Sequence, residues 1–590
     1  MTDTRFTTFP APAADGLRFH RPARLRRIQD GRSRANWAWI AWGAATIWLI
    51  FLVAVPVGVI VGSSVYDDGF TLAHYTAFFG SNALLTATLN SLLVALGIVV
   101  LSLLVGAPLA FGVARTGMRF KGLVRATIII ALISPEFLLA MGYILLAGPN
   151  VGYFNQIIRG IFGLDQQVGP LDIFSLWGLI LTALPNGVSF VFLALVPAFG
   201  NMDPALEEAA RMRGASALQA IRDITLPLMR PALLSGALLA FATSLAMYGP
   251  PQMLGINVLT VAIREALVRL NFASASVAAV VLIALSILAL VVQRASTSHV
   301  ERYRTLGGKA FGARQIDLGW GTHALSALGI VYVFLSLVIP YGAMFAASLM
   351  KSIGNGFSAD NWTADNYVAV VGNAQILNAT ALSFALAALS ATLVSIMGVV
   401  VAYVLLRTKV PGRAYLDYLS ILPLAIPGTA LAFALIVVYL NWPMNLLGFY
   451  STPAILLIAY LARFIPVGVR NSQSTLVQIA PELEEASRVF GAGELSTVLR
   501  IVVPLLLPAI VYSWILVFIM AVPELSASVI LRGFGTQTVS TALLGIWSGN
   551  GGLAVACALG MLIFAVVAFF FGLATLVART WGLGRGVELA

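Results

Sequence analysis

Charge is what this sequence has least of. Only 10% of its 590 residues are Asp, Glu, Lys or Arg, while 59% are hydrophobic and the mean hydropathy is +0.93. A water-soluble fold of this size needs far more charge to cover its surface. The apolar excess must face lipid or pack between apolar helices, so the expected fold class is an all-α polytopic membrane protein. Cysteine is nearly absent too: Cys557 alone, in an apolar stretch, excludes a disulfide framework and a cysteine metal site. The four histidines (His20, His74, His299 and His323) fall in tails, loops or at a span edge, which excludes an intramembrane imidazole metal site or proton relay. No His-Glu-x-x-His and no Ser/His pair within an apolar run suggests an intramembrane enzyme. No phosphate-binding Gly-x4-Gly-Lys-Ser/Thr loop occurs either; Gly307-Gly308-Lys309-Ala310 lacks both the spacing and the hydroxyl. No cofactor and no metal is expected in this chain.

What is abundant is the apolar run of about 20 residues. Spans are expected near 37–62, 85–114, 124–147, 172–199, 231–254 and 275–293, then near 322–349, 376–406, 415–441, 452–470, 504–530 and 553–578. They frame an N-tail (1–36), a first half (37–293), a polar linker (294–320), a second half (321–578) and a C-tail (579–590). The first 36 residues are polar and Arg-rich and the first apolar run is too long for a signal peptide, so it reads as a retained span. The net charge of +11 does not point to nucleic acid, because the basic residues cluster between apolar runs. With the N-terminus inside, 29 of the 35 Lys and Arg fall on the cytoplasmic side. The expected location is a bacterial inner membrane with both termini cytoplasmic. Trp37, Trp39 and Tyr66 read as interface anchors.

The chain contains itself twice. Pro204-Ala-Leu-Glu-Glu-Ala-Ala-Arg-Met-Arg-Gly214 returns 277 residues later as Pro481-Glu-Leu-Glu-Glu-Ala-Ser-Arg-Val-Phe-Gly491, and the register holds through Pro227 with Pro504. Upstream, Phe70-Thr71 pairs with Trp362-Thr363, and Pro135 with Pro427, at a spacing of 292. The first half therefore has 15 extra residues, expected in the outer stretch Gly148–Asp172. The repeated loop should form a short helix opening on Glu207-Glu208 or Glu484-Glu485, favoured by the helix dipole. A flat Ala209-Ala210 or Ala486-Ser487 surface follows. Gly214 and Gly491 then allow a sharp turn, and Pro227 and Pro504 are expected to begin the next span.

Glu208-Ala209-Ala210 followed by Gly214 and Ile224-x-Leu226-Pro227, with its repeat at Glu485-Ala486-Ser487, Gly491 and Ile501-x-Val503-Pro504, resembles the EAA loop of binding-protein-dependent ABC importer permeases. The resemblance implies a type I permease fold of two six-helix halves, with about twelve spans. It implies that Glu207, Glu208, Ala209, Ala210, Gly214, Glu484, Glu485, Ala486, Ser487 and Gly491 couple to an ATPase. Partners would be two copies of that ATPase, carrying ATP and Mg, and an external solute-binding protein. The single-chain architecture, with Glu524-Leu-Ser-Ala-Ser-Val-Ile-Leu-Arg532, resembles ferric-iron-type permeases and their aminoethylphosphonate relatives, whose wider kin carry polyamines and thiamine. Ferric iron is therefore the expected cargo, with those organic solutes as alternatives. A secondary transporter is the rival from another class, against which the doubled loop argues. Ionisable groups within spans are costly and invite a functional reading. Glu136, Arg463 and Glu524 are the candidates for the translocation pathway, against the alternative that they are ion-paired between packed helices.

Overall fold

The structure, a computed structural model, describes residues 31–67, 69–163, 169–200, 202, 205–297, 316, 318–549 and 552–581. Most of the expected N-tail, linker and C-tail, and Pro204, lie outside them. Among the described residues the chain is helical, with three isolated bridges in place of a sheet. Ten helices are long and apolar enough to cross a membrane: Ala38–Val65, Asn82–Arg115, Leu176–Gly200, Ile221–Ala246, Phe272–Gln293, Trp320–Ser348, Ala374–Arg407, Pro453–Leu476, Glu494–Ala521 and Leu553–Thr580.

The expected spans 124–147 and 415–441 are corrected to broken elements. Lys121–Ile133 and Glu136–Ala147 meet at 107°, and Arg413–Ala425 and Gly428–Leu440 at 111°. The breaks fall at Pro135 and Pro427. The residue before a proline is driven out of the α region, and Ser134 (ψ 134°) and Ile426 (ψ 114°) are extended accordingly. Counted as one each, the broken pairs bring the number of spans to twelve.

Prolines explain a second correction. Pro227 and Pro504 do not start their helices, which begin upstream and pass through a π-helical turn at Ile221–Thr225 or Val498–Val502. The same pattern recurs at Ile50–Ala54 before Pro56 and at Phe334–Val338 before Pro340. In all four cases the π turn ends two residues before the proline. A proline ring clashes with the carbonyl four residues back and offers no N–H; a wider turn moves that carbonyl and lets the helix continue.

The halves clasp each other. Ala41, Ala45 and Leu49 of the first helix pack on Val401, Val404, Leu416 and Val469 of the second half. Reciprocally, Tyr332 and Val333 of Trp320–Ser348 pack with Leu109, Val124 and Ile128 of the first half. Each half thus lends its first span to the other.

Equivalent hydrogen bonds fix the internal register more finely than the sequence does. Ser64 bonds Tyr75 (2.9 Å) as Ser348 bonds Tyr367 (2.8 Å), giving 284 for the serines and 292 for the tyrosines. Ser91 accepts from Leu259 N (2.9 Å) as Ser383 accepts from Val539 N (2.8 Å), giving 292 and then 280. Every register step falls on the face opposite the repeated loops. The extra length of the first half forms the helix Tyr153–Phe162, and that of the second half forms the turns Ile353–Asn355 and Ala359–Asn361. The two insertions meet: Tyr153 packs at a tilt against Phe357 with centroids 5.0 Å apart and donates to Met350 Sδ at 3.4 Å.

Close helix crossings hold each core. A Cβ on Gly398 would lie 2.6 Å from the Gly468 carbonyl oxygen, and its counterpart Gly106 faces Val191 at 3.1 Å. Gly398→Leu should therefore destabilise the chain by about 2 kcal/mol or more through overpacking. Gly372→Ala, where a Cβ meets nothing within 4 Å, should be neutral. Thermal unfolding of the two purified variants in detergent checks the contrast.

Candidate functional site

The repeated loops are built alike from the inside out. In the first half, Glu207 is buried on the short helix Ala205–Met212. Its Oε2 accepts from Arg115 Nη2 at 2.5 Å and its Oε1 from Thr225 Oγ1 at 2.5 Å. Arg115 is the last residue of the long helix Asn82–Arg115 and is fully buried. In the second half, Glu484 of Glu482–Val489 is buried against Arg407, the last residue of Ala374–Arg407. Arg407 Nε lies 2.8 Å from Glu484 Oε1, and Tyr403 Oη donates to Oε2 at 3.2 Å. Arg407 Nη2 also donates to the carbonyls of Leu476 (3.0 Å) and Ile479 (2.5 Å).

The hydroxyl in each anchor comes from a different side. Thr225 corresponds to Val502, and Tyr403 corresponds to Phe111. The first half combines Phe111 with Thr225, the second Tyr403 with Val502, so each glutamate receives one hydroxyl. A second compensation sits beside it. Ser487 Oγ lies 3.0 Å from Thr497 Oγ1, and the corresponding pair in the first half is Ala210 with Ala220.

Each loop helix ends in a tight reversal. Gly214 (φ 91°) and Gly491 (φ 85°) are left-handed. Ala215 N donates to Ala210 O at 3.1 Å and Ala492 N to Ser487 O at 3.2 Å, the six-to-one bond of a Schellman closure. A Cβ on either glycine would meet nothing within 4 Å, so backbone conformation and not space demands glycine here. Beyond the anchor the loops face outward. Glu485 and Ala486 are exposed, as are Val489 (84%), Phe490 (91%) and, in the first loop, Ala209 and Met212 (85%). The side chain of Glu208 lies outside the described ones.

The three intramembrane candidates come together. Arg463 Nη1 lies 3.7 Å from Glu524 Oε1. Glu524 also accepts from Ala527 N (2.9 Å), Ser528 N (3.0 Å) and Ser528 Oγ (2.8 Å), capping the turn Ser528–Leu531. Arg463 is within electrostatic reach of Glu136, which opens the second piece of the broken span. Gly428, the counterpart of Glu136, sits where a Cβ would strike Arg463 Nη1. The missing side chain in the second half thus makes room for the guanidinium that faces the carboxyl of the first. Gly249 packs closely against the residues next to both glutamates, where a Cβ would lie 2.8 Å from Phe137 Cβ and 3.1 Å from Leu525 Cδ2. Proline at the repeated breaks marks where the spans bend but does not signal this convergence; Arg115 and Arg407, one at the end of each long helix, likewise have no sequence signal beyond their shared spacing of 292.

Comparison with known proteins agrees with this architecture. Residues 99–302 and 395–579 each match the family described as binding-protein-dependent transport system inner membrane component. The chain is similar to the ferric transport system permease protein FbpB of Actinobacillus pleuropneumoniae, 27% identical over 89% of this chain and 76% of that protein. It is also similar to a putative ferric transport system permease protein of Haemophilus influenzae, 25% identical over 82% of this chain and 76% of its relative. A probable sulfate transport system permease of Nephroselmis olivacea is 30% identical over 35% of this chain and 72% of that protein. With the family matched once in each half, this chain belongs to the binding-protein-dependent permeases and is the membrane component of an ABC importer.

Proposed function

We propose that this permease carries ferric iron, released by an external binding protein and driven by two ATPase copies seated on the two loops. The observation that carries the ATPase reading is the paired anchor: the same short helix is fixed twice, by a buried Arg–Glu contact, to the end of a long membrane helix. A push on the exposed tips, Met212 or Val489-Phe490, then reaches Arg115 or Arg407 through Arg and Glu side chains that burial holds in place. In this reading Glu207 and Glu484 hold the loops in place, while Glu485, Ala486 and the apolar tips contact the ATPase. The loop face is cytoplasmic, as the distribution of basic residues requires.

The cargo reading rests on the intramembrane cluster. It sets two carboxyl groups, Glu136 and Glu524, against one guanidinium, Arg463. In neither protonation state of Glu136 is the cluster net positive, which disfavours an oxyanion such as sulfate and suits a hard cation that prefers oxygen ligands. The breaks at Pro135 and Pro427 place irregular backbone at the same level, as a transient path requires. Ferric permeases are also among the relatives that align over most of this chain.

Two experiments test these readings. Gly214→Val with Gly491→Val should reduce ATP-driven uptake at least about tenfold, because a β-branched residue in the left-handed region costs on the order of 1–2 kcal/mol per site. Gly214→Asn with Gly491→Asn, which the same backbone tolerates, should stay within about twofold. Equal uptake by the two double variants contradicts the coupling role. For the cargo, proteoliposomes holding the complete importer should take up ferric iron from its loaded binding protein and leave sulfate and 2-aminoethylphosphonate outside. Uptake of either anion in preference to iron overturns the cargo assignment.

A further inference from the structure

A groove of about 540 Å³ runs between Lys121–Ile133 of the first half and Leu553–Thr580 of the second. Its wall is apolar: Ile129, Ile130 and Ile133 on one side, Phe564, Val567 and Phe571 on the other. Its charge is confined to one end, where Arg125 and Arg579 line it and Lys121 stands one turn before Arg125. No Asp or Glu is among the lining residues. From Phe564 to Arg579 the helix rises about 22 Å, more than half the roughly 30 Å hydrocarbon core. The groove is therefore long enough for an acyl chain and basic only at the depth of a headgroup.

The two halves differ at this place. Lys121 and Arg125 correspond to Arg413 and Asp417, and Asp417 Oδ1 lies 3.5 Å from Arg470 Nη2. In the second half a carboxylate stands at this position. The first half carries an arginine in that position, which makes its crevice the more basic of the two. A bilayer offers a molecule that matches an apolar slot ending in positive charge, since basic pockets between membrane helices on the cytoplasmic side attract anionic headgroups.

We infer that this groove binds one anionic phospholipid of the cytoplasmic leaflet, with its phosphate between Arg125 and Arg579 and an acyl chain along the isoleucine and phenylalanine wall. The bound lipid joins the broken span, which ends at the Glu136 break, to the last helix of the opposite half. The inference rests on the orientation proposed above, but its test reads lipid retention and not transport, so the two can fail separately.

Native mass spectrometry of the purified full-length permease, with phosphatidylglycerol and phosphatidylcholine of identical acyl chains, provides the test. Phosphatidylglycerol should be retained in preference to phosphatidylcholine. R125Q/R579Q should weaken its retention about thirtyfold, from roughly fivefold per charge. Ile129→Trp, which fills the apolar slot and leaves both arginines in place, should also displace it; either variant counts only if its thermal unfolding matches the parent. Equal retention of the two lipids, unchanged retention in both variants, or displacement of phosphatidylglycerol by millimolar glycerol 3-phosphate overturns the inference. The last result would make the site a phosphate site and not a lipid site.

Discussion

A carboxylate buried at the edge of a membrane domain needs a cation within reach, and that requirement fixes how each loop sits on its half. Glu207 and Glu484 are almost fully enclosed, and each meets the arginine that ends a 34-residue helix. Leaving such a group without its partner costs about 3–5 kcal/mol, whereas well-packed apolar residues in place of both would fold at least as well. The pair is therefore better understood as a device of position than of stability. It holds a short helix, too short to be stable alone, at one angle to the membrane spans. The hydroxyl from Thr225 in one half and from Tyr403 in the other serves the same carboxylate from opposite sides. The two loops thereby reach one geometry through different residues.

Symmetry is kept at the two repeated loops and abandoned on the opposite face. The register steps from 284 to 292 to 277 to 280, and each step lies on the face away from the loops. There the inserted helix Tyr153–Phe162 of the first half packs against the inserted turns of the second through Tyr153, Phe357 and Met350. Between the faces, the cluster of Glu136, Arg463 and Glu524 is asymmetric as well: Gly428 gives up the side chain that Glu136 keeps, and the guanidinium occupies the space.

Hydropathy alone placed the twelve spans, because length and apolarity are what a bilayer selects. It could not show that two of them bend by more than 100°; that follows from Pro135 and Pro427, which lie within otherwise continuous apolar runs. The glycines of the loops were legible from the repeat, and their left-handed backbone gives the reason. The prolines after them were legible only as helix starts, since a π turn upstream of Pro227 or Pro504 leaves no mark in hydropathy. The anchors were not legible. Arg115 and Glu207 are 92 residues apart, and a loop glutamate reads as solvated until the arginine that buries it is seen. That Arg463 lies within electrostatic reach of Glu136 was equally hidden, because it joins one half to the other.

In the coupling proposed for this permease, the buried Arg–Glu pairs transmit the ATPase's movement to the membrane helices. That is tested by the number of ATP molecules hydrolysed per substrate molecule imported by the reconstituted importer carrying Arg407→Gln. The ATPase should still bind and hydrolyse ATP while the ratio rises at least about tenfold, since the loop can move without its helix. An unchanged ratio, with transport and hydrolysis both intact, would contradict it.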